Sequence, residues 1–186
     1  MGWSSWANLD YFLTWLLFGF GCSTQKVLPT EPTSGASMRL YQYFNLGWVM
    51  AYPYDYFGDI MAECKMGRAA GFFPTPHSIC ELMIRITYCP TFDKDYRRTS
   101  VMEPCVGTGR MLLAASNYSM CLYGQDISAT CVNATLVNGY FYAPWMVKRL
   151  PFWMIRLISL DLKGLMQMKL GCWIRVTLTA RKKHVT

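Results

Sequence analysis

Residues 100–113 read Ser-Val-Met-Glu-Pro-Cys-Val-Gly-Thr-Gly-Arg-Met-Leu-Leu, and residues 122–127 read Leu-Tyr-Gly-Gln-Asp-Ile. A short apolar strand, a glycine-rich turn, a helix and a second strand that ends in an acid are the parts with which an open α/β sheet holds a nucleoside-bearing cofactor. The alternative is an ordinary strand-turn-helix unit with incidental glycines. The order of the parts favours a cofactor-binding α/β fold.

The turn contains a carboxylate, and this bears on the charge of the ligand. Gly107 and Gly109 let a ligand approach the main chain closely, and Glu103 and Pro104 precede them. A dinucleotide turn holds a pyrophosphate on unpaired amides and has no use for a carboxylate. Glu103 therefore favours a positively charged ligand such as S-adenosylmethionine. Asp126 follows Gly109 by 17 residues, close to the spacing at which an acid reaches a ribose hydroxyl.

A second signal lies upstream, at residues 71–76, Gly-Phe-Phe-Pro-Thr-Pro. Apolar residues recur at helical spacing over residues 77–86, with Thr75 as the predicted N-cap and Pro76 as the first helical residue. Taken alone, this segment predicts a well-capped helix and no particular function.

Together these segments resemble the adenine-specific DNA methyltransferases, the group that contains the modification subunits of type I restriction systems. Residues 71–83 resemble the family's Gly-Gln-Phe-Phe-Thr-Pro…Leu-Met signature, although Pro74 departs from it. Residues 103–109 resemble its Asp-Pro-x-x-Gly-x-Gly cofactor loop, and residues 122–127 its Tyr-Gly-x-Glu/Asp-Ile segment. The resemblance covers roughly residues 50–145, including a helical lead-in at residues 54–59.

This resemblance implies a fold, a cofactor and a site. The fold is a shortened, Rossmann-like class I S-adenosylmethionine-dependent methyltransferase sheet with a helical N-terminal lead-in. In the family an upstream Phe and Thr flank the cofactor, a loop acid approaches it, and a second acid binds its ribose. The implied cofactor-binding residues are Phe73, Thr75, Glu103, Pro104, Gly107, Gly109, Asp126 and Ile127.

One part of the family pattern is absent. Members place Asn/Asp-Pro-Pro-Tyr/Phe after the fourth strand, where it accepts hydrogen bonds from the adenine amine and stacks on the flipped base. Neither Asn-Pro-Pro nor Asp-Pro-Pro occurs in the 186 residues, so the catalytic residues are unassigned. Two hypotheses stay open. One is an adenine-specific DNA methyltransferase, truncated or with a catalytic loop that is diverged or supplied by another chain. The other is a non-catalytic, cofactor-binding remnant that binds nucleic acid or a partner subunit.

Positive charge is concentrated at the C-terminus. Residues 148–186 contain nine Lys or Arg and the single acid Asp161, a net +8, whereas the whole chain carries +7. Such a block, interleaved with aromatic residues, is typical of a surface that binds a phosphate backbone, and DNA is the expected partner. A solvated basic tail is the alternative. Residues 152–160 predict a third strand of the sheet.

We expect three parts: an apolar N-terminal segment and linker (1–37), a helical lead-in (38–99) and a Rossmann-like core with a basic C-terminal segment (100–186). Residues 11–21 are too short for the ~20 residues of a membrane span and predict a packed or interfacial helix. Residues 38–66 predict two short helices, broken around Pro53.

Cysteine usage bears on metal binding and on the compartment. Eight cysteines and two histidines show no zinc-binding spacing, so no metal is expected. Reduced thiols in a cytoplasmic protein are the favoured interpretation, and a redox role is the alternative.

Overall fold

The computed structural model describes residues 6–64, 73–87, 100–119, 121–144 and 147. Within these ranges the protein is α/β, with seven helices and one small parallel sheet of two strands. In chain order the elements are α1 (Trp6–Gly19), α2 (Ala36–Tyr43), α3 (Leu46–Ala51), α4 (Tyr56–Glu63), α5 (His77–Thr87), β1 (Ser100–Glu103), α6 (Arg110–Ala115), β2 (Cys121–Gly124) and α7 (Ala129–Tyr142).

The predicted strand–helix–strand unit is present as β1–α6–β2. The strands are parallel, with Ser100 opposite Cys121 and Glu103 opposite Gly124, so the loops that follow them leave the same edge of the sheet. A Cβ on Gly124 would lie 2.9 Å from both Leu112 and Val106. Glycine at this position therefore lets α6 and the loop before it pack closely on β2.

The main hydrophobic core lies between the helices at the two ends of the described chain. Buried leucines of α1, among them Leu13 and Leu17, pack in one cluster with Val132 and Val137 of α7. The apolar N-terminal segment is thus a packed helix, one of the two forms expected from the sequence. Among the described residues no helix is both long and apolar enough to cross a membrane.

The prediction of two helices over residues 38–66 was wrong in number. The expected break around Pro53 is present, but a second break at Phe44 and Asn45 divides the first helix into α2 and α3. Asn45 has an extended backbone, and its side-chain oxygen accepts a hydrogen bond from the Trp48 N–H at 2.9 Å. An Asn that caps the following turn competes with continuation of the preceding helix, which explains the extra break.

Helix α5 occupies the predicted segment but begins at His77, one residue later than expected. Its buried residues are Cys80 and Ile84. The apolar residues whose spacing predicted the helix lie on its exposed side, with 43–69% of their surface accessible: Ile79, Leu82, Met83 and Ile86. The predicted strand at residues 152–160 and the basic segment lie outside the described residues.

Candidate functional site

A cavity of about 270 Å³ opens at the sheet edge where β1 and β2 end. Seven of the eight residues predicted to bind the cofactor line it: Phe73, Thr75, Glu103, Pro104, Gly107, Asp126 and Ile127. The eighth, Gly109, is buried against α7, behind the loop that forms the cavity wall. Two loops and the segment before α5, which are distant in sequence, therefore meet around one space.

The two strand-end loops are joined by the Asp126 carboxylate. One oxygen of Asp126 accepts a hydrogen bond from the Gly107 N–H at 2.9 Å, and the other accepts one from the Ser128 N–H at 2.9 Å. Ser128 in turn caps α7, where its side chain accepts a hydrogen bond from the Cys131 N–H. Asp126 thus fixes the glycine turn relative to the start of α7.

The turn itself requires glycine at two positions. Gly107 has φ 55° and Gly109 has φ 87°, both in the left-handed region that side chains disfavour. A Cβ on Gly109 would also lie 2.9 Å from the Thr135 methyl group on α7. The Thr135 hydroxyl donates to the Gly107 carbonyl at 2.9 Å, so α7 supports the turn from behind.

Most main-chain N–H groups of the loop already have partners within the protein. Four of the five residues 105–109 donate to partners within the two loops or the preceding strand end. The pairs are Cys105 to the Glu103 carboxylate at 3.3 Å, Val106 to the Gln125 carbonyl at 2.9 Å, Gly107 to Asp126 at 2.9 Å and Gly109 to the Val106 carbonyl at 2.8 Å. A phosphate needs free amides at such a turn. Residues 105–109 therefore leave few N–H groups for a phosphate.

The cavity has acidic walls. Glu103 and Asp126 both line it and both are partly exposed. The Arg110 guanidinium also reaches the cavity, but it is paired with Asp55 at 3.0 Å and with Asp59 at 2.9 Å. Among the described residues that line the cavity, Arg110 is the cation, and it is already paired. The two cavity carboxylates therefore favour a cationic or hydroxyl-bearing ligand over an anionic one.

Behind the cavity lies a buried polar cluster that the sequence interpretation did not identify. Its centre is Asp55, the N-cap of α4, which is fully buried, and its cation is Arg110, which is 8% exposed. Asp55 accepts hydrogen bonds from the Gly58 N–H (3.1 Å), Thr108 Oγ1 (2.6 Å), Arg110 Nε (3.0 Å) and Asn138 Nδ2 (2.8 Å). Asn138 Nδ2 also donates to the Thr108 carbonyl at 2.9 Å, so α4, the glycine loop, α6 and α7 share the cluster.

Electrostatic shifts follow from this cluster. Burial opposes the charge of Arg110, but hydrogen bonds and charge from Asp59 and Asp55 outweigh it and raise the pKa of the guanidinium. Burial likewise opposes the charge of Asp59, yet hydrogen bonds from Tyr54 and Arg110 lower the pKa of that carboxyl. Burial, reinforced by the Arg110 charge, lowers the pKa of His77. Arg110 and Asp59 are therefore held in their charged forms, and the His77 imidazole beside them is shifted toward its neutral form.

A larger cavity, of about 350 Å³, contains none of the eight predicted residues. His77, whose ring lies 4.5 Å from that of Tyr54, lines it together with residues of α5 and α6. Arg110 lines both cavities. The residues predicted from the sequence, with the exception of Gly109, line the smaller cavity.

Three thiols line the smaller cavity, but they differ in exposure. Cys80 and Cys131 are buried, whereas Cys105 is exposed. Burial raises the pKa of the Cys80 thiol, and it raises the pKa of Cys131 to about 11.

Within the described part of the chain no three His, Cys, Asp or Glu side chains are grouped as metal ligands would be.

The fold and the site define a class: an α/β protein with a ligand cavity at the carboxyl edge of parallel strands, bordered by a glycine turn and two acids. The sequence model of the N-6 DNA methylase family matches residues 49–143, just over half of the chain and the whole of this site. The chain belongs to the N-6 DNA methylase family. Members of the family methylate DNA and generally use S-adenosylmethionine. The chain matches no curated protein and no solved structure.

Proposed function

We propose that this chain is the S-adenosylmethionine-binding part of an adenine-specific DNA methyltransferase, built on a shortened Rossmann-like sheet. One observation carries the proposal: the glycine loop donates most of its N–H groups to its own protein while two carboxylates line the cavity. This arrangement suits a ligand with positive charges and ribose hydroxyls, and it disfavours a pyrophosphate. S-adenosylmethionine carries an ammonium, a sulfonium and a ribose.

Each predicted residue then has a physical role in binding. Glu103 accepts hydrogen bonds near the amino-acid end of the cofactor, and Asp126 retains lone pairs for a ribose hydroxyl beyond the two N–H groups it already holds. Phe73 and Ile127 line the cavity with 79% and 80% of their surface accessible, so a ligand there would cover apolar area now in contact with solvent. When bound, S-adenosylmethionine supplies an electrophilic methyl group on its sulfonium.

The cavity is of a plausible size for this ligand. Its volume of about 270 Å³ is close to the ~300 Å³ lower end for small-molecule sites. It is open to solvent on the side of Phe73 and Ile127, so part of the ligand can extend beyond it. The residues that would contact the target adenine are unassigned, because the chain has no Asn-Pro-Pro-aromatic sequence.

Calorimetric titration of the whole chain with three ligands tests the proposal. S-adenosylmethionine should bind. Methylthioadenosine, which keeps the nucleoside but lacks the amino-acid part, should bind more weakly. NAD, which brings a pyrophosphate, should not bind measurably. No binding of S-adenosylmethionine by the folded protein would overturn the proposal.

Two variants separate the roles of the acids. Glu103→Gln should weaken S-adenosylmethionine by about tenfold or more, the value of a charge-assisted hydrogen bond, and leave methylthioadenosine unchanged. Asp126→Asn should weaken both ligands, because both contain the ribose. Glu81→Gln, on an exposed residue of α5, is the matched control and should change neither affinity.

A further inference from the structure

Asp55 and Arg110 form an ion pair in which both charges are withdrawn from water. Asp55 is fully buried and Arg110 is 8% exposed, and their closest atoms, Oδ2 and Nε, are 3.0 Å apart. Buried ion pairs often contribute less to stability than apolar residues of similar volume would, since desolvation offsets their attraction. Stability alone therefore does not account for the pair.

Arg110 connects the two walls of the smaller cavity. It is the first residue of α6 and directly follows Gly109, so its main chain is the end of the glycine loop. Its side chain crosses to the other wall, where Nη1 donates to the Thr75 carbonyl at 3.0 Å. Thr75 and Phe73 form that wall, and they are separated from the glycine loop by more than 25 residues of chain.

Three directions of the guanidinium are used at once. Nε donates to Asp55 at 3.0 Å, Nη2 donates to Asp59 at 2.9 Å, and Nη1 donates to Thr75. The other partners of Asp55, on α4, the glycine loop and α7, hold its carboxylate in one orientation. The planar guanidinium therefore fixes both the distance and the angle between the two walls. A lysine ammonium on its flexible side chain could not fix both.

We propose that Asp55 and Arg110 are positioning residues that hold the Thr75 wall against the glycine loop and so set the geometry of the cofactor cavity. The cofactor part of this inference rests on the proposed function. The wall-to-wall connection concerns the protein alone and can be tested without any ligand.

Cys80 reports on the wall directly. The residue is 1% exposed, and its thiol lies 3.8 Å from the Thr75 carbonyl, the same oxygen that Arg110 binds. Cys22 and Cys121 are also buried, in the main core and in β2, and report on the rest of the fold. Alkylation of the whole chain by iodoacetamide, resolved by peptide mass spectrometry, gives the rate at each thiol.

Arg110→Lys keeps a positive charge next to Asp55 and removes the planar guanidinium with its three sets of N–H donors. We expect the Cys80 alkylation rate to rise by about tenfold, because local opening governs the exposure of a buried thiol, while Cys22 and Cys121 stay protected. Arg85→Lys, on an exposed arginine of α5, is the matched control and should leave Cys80 unchanged. An unchanged Cys80 rate in a folded Arg110→Lys protein would overturn the inference.

Cofactor affinity provides the second measurement. Arg110→Lys should weaken S-adenosylmethionine by about tenfold in the folded protein, within the usual range of coupling between sites. A purely structural role would lower the unfolding midpoint and leave the affinity of the folded fraction unchanged, and that result would overturn the link to the cofactor. If the wild-type chain binds no cofactor, the proposed function fails, and the Cys80 rate still decides the connection between the walls.

A second variant covers the case in which Arg110→Lys does not fold, shown by reactive Cys22 and Cys121. Asp59→Ala removes the partly exposed partner of Nη2 and leaves the buried pair intact. It should raise the Cys80 alkylation rate by a smaller factor than Arg110→Lys does. No rise in Cys80 reactivity with Asp59→Ala would then overturn the inference.

Discussion

The Gly107 N–H donates a hydrogen bond to the Asp126 carboxylate at 2.9 Å, which ties the loop after β1 to the loop after β2. These residues are 19 positions apart in sequence, and the parallel register of the strands brings them together. Asp126 therefore has two tasks in the proposed site, to hold the turn and to bind the ribose.

Replacing Asp126 by Ala should weaken S-adenosylmethionine binding by roughly 1–3 kcal/mol, the cost of an unmatched buried polar partner. The variant should also lower the free energy of unfolding, because two loop N–H groups lose their acceptor. Calorimetric titration and urea unfolding measure the two effects. Asp10→Ala, on an acid of α1 that accepts a hydrogen bond from Thr130, is a control for general loss of a carboxylate. Unchanged affinity in the Asp126 variant would contradict the ribose role.

Gly109→Ala should lower the free energy of unfolding by about 1–3 kcal/mol, because φ 87° is strained for alanine and the new Cβ would crowd Thr135. Thermal or urea unfolding measures the change. Gly19→Ala is the matched control: its Cβ would meet nothing within 4 Å, and the expected change is below about 1 kcal/mol. Equal stability of the two variants would show that the turn does not need glycine.

His77 should make the protein less stable in mild acid. Burial and the Arg110 charge lower its pKa below the ordinary 6.5, while Asp55, Asp59 and Glu81 oppose the shift. The folded state then binds fewer protons than the unfolded state, so stability is complete above about pH 6.5 and falls as the pH drops toward the folded-state pKa.

Urea unfolding between pH 5 and pH 7.5, a range chosen around the ordinary histidine pKa of about 6.5, checks this expectation. His77→Gln should remove part of the loss of stability in acid. His184→Gln, at a position outside the described residues, should retain it. The same pH dependence in the wild type and the His77 variant would rule out this histidine as the cause.

Nucleic-acid binding should depend on the basic segment. Deleting residues 181–183, Arg-Lys-Lys, should flatten the slope of log affinity against log salt by about two to three, at ~0.9 for each phosphate that the protein no longer neutralises. The control replaces three cations outside the segment, Lys26, Arg39 and Arg85, by glutamine. A slope that responds to the control and not to the deletion would locate DNA binding elsewhere.

The purified chain should transfer little or no methyl to adenine in unmethylated duplex DNA. Flipping a base costs a few kcal/mol, and no Asn-Pro-Pro-aromatic sequence is present to hold the flipped adenine. Transfer of labelled methyl from S-adenosylmethionine measures this directly. Multiple turnover that Gly107→Trp abolishes would show that other residues of this chain recognise the base.

Local sequence was sufficient for the parts of the site that follow strands. The order strand, glycine turn, helix, strand predicted that the loops containing Glu103 and Asp126 would meet, and the structure places both at one cavity. The Phe73 and Thr75 segment reached the same cavity through the family resemblance, since nothing in its own pattern specifies where α5 packs. The face of α5 was not predictable, because the apolar residues that reveal a helical period do not reveal which neighbour covers them.

The buried cluster was not predicted because its members are far apart in sequence. Asp55 is 55 residues from Arg110 and 83 residues from Asn138. A weak signal exists in retrospect: Arg110 begins the otherwise apolar helix α6, and Asn138 lies in the largely apolar second half of α7. Such positions indicate buried partners, but only the packing of α4, α6 and α7 identifies the partner as Asp55.

The internally bonded N–H groups of the glycine loop have a consequence for binding thermodynamics. A loop whose N–H groups mostly bond within the two strand-end loops and the end of β1 does not depend on a ligand to hold its shape. A ligand that enters the cavity therefore meets a preorganised wall, and little conformational entropy is lost there on association. Affinity at this site should respond mainly to the chemistry of the side chains around the cavity, with amide protection in the loop already high before any ligand is added.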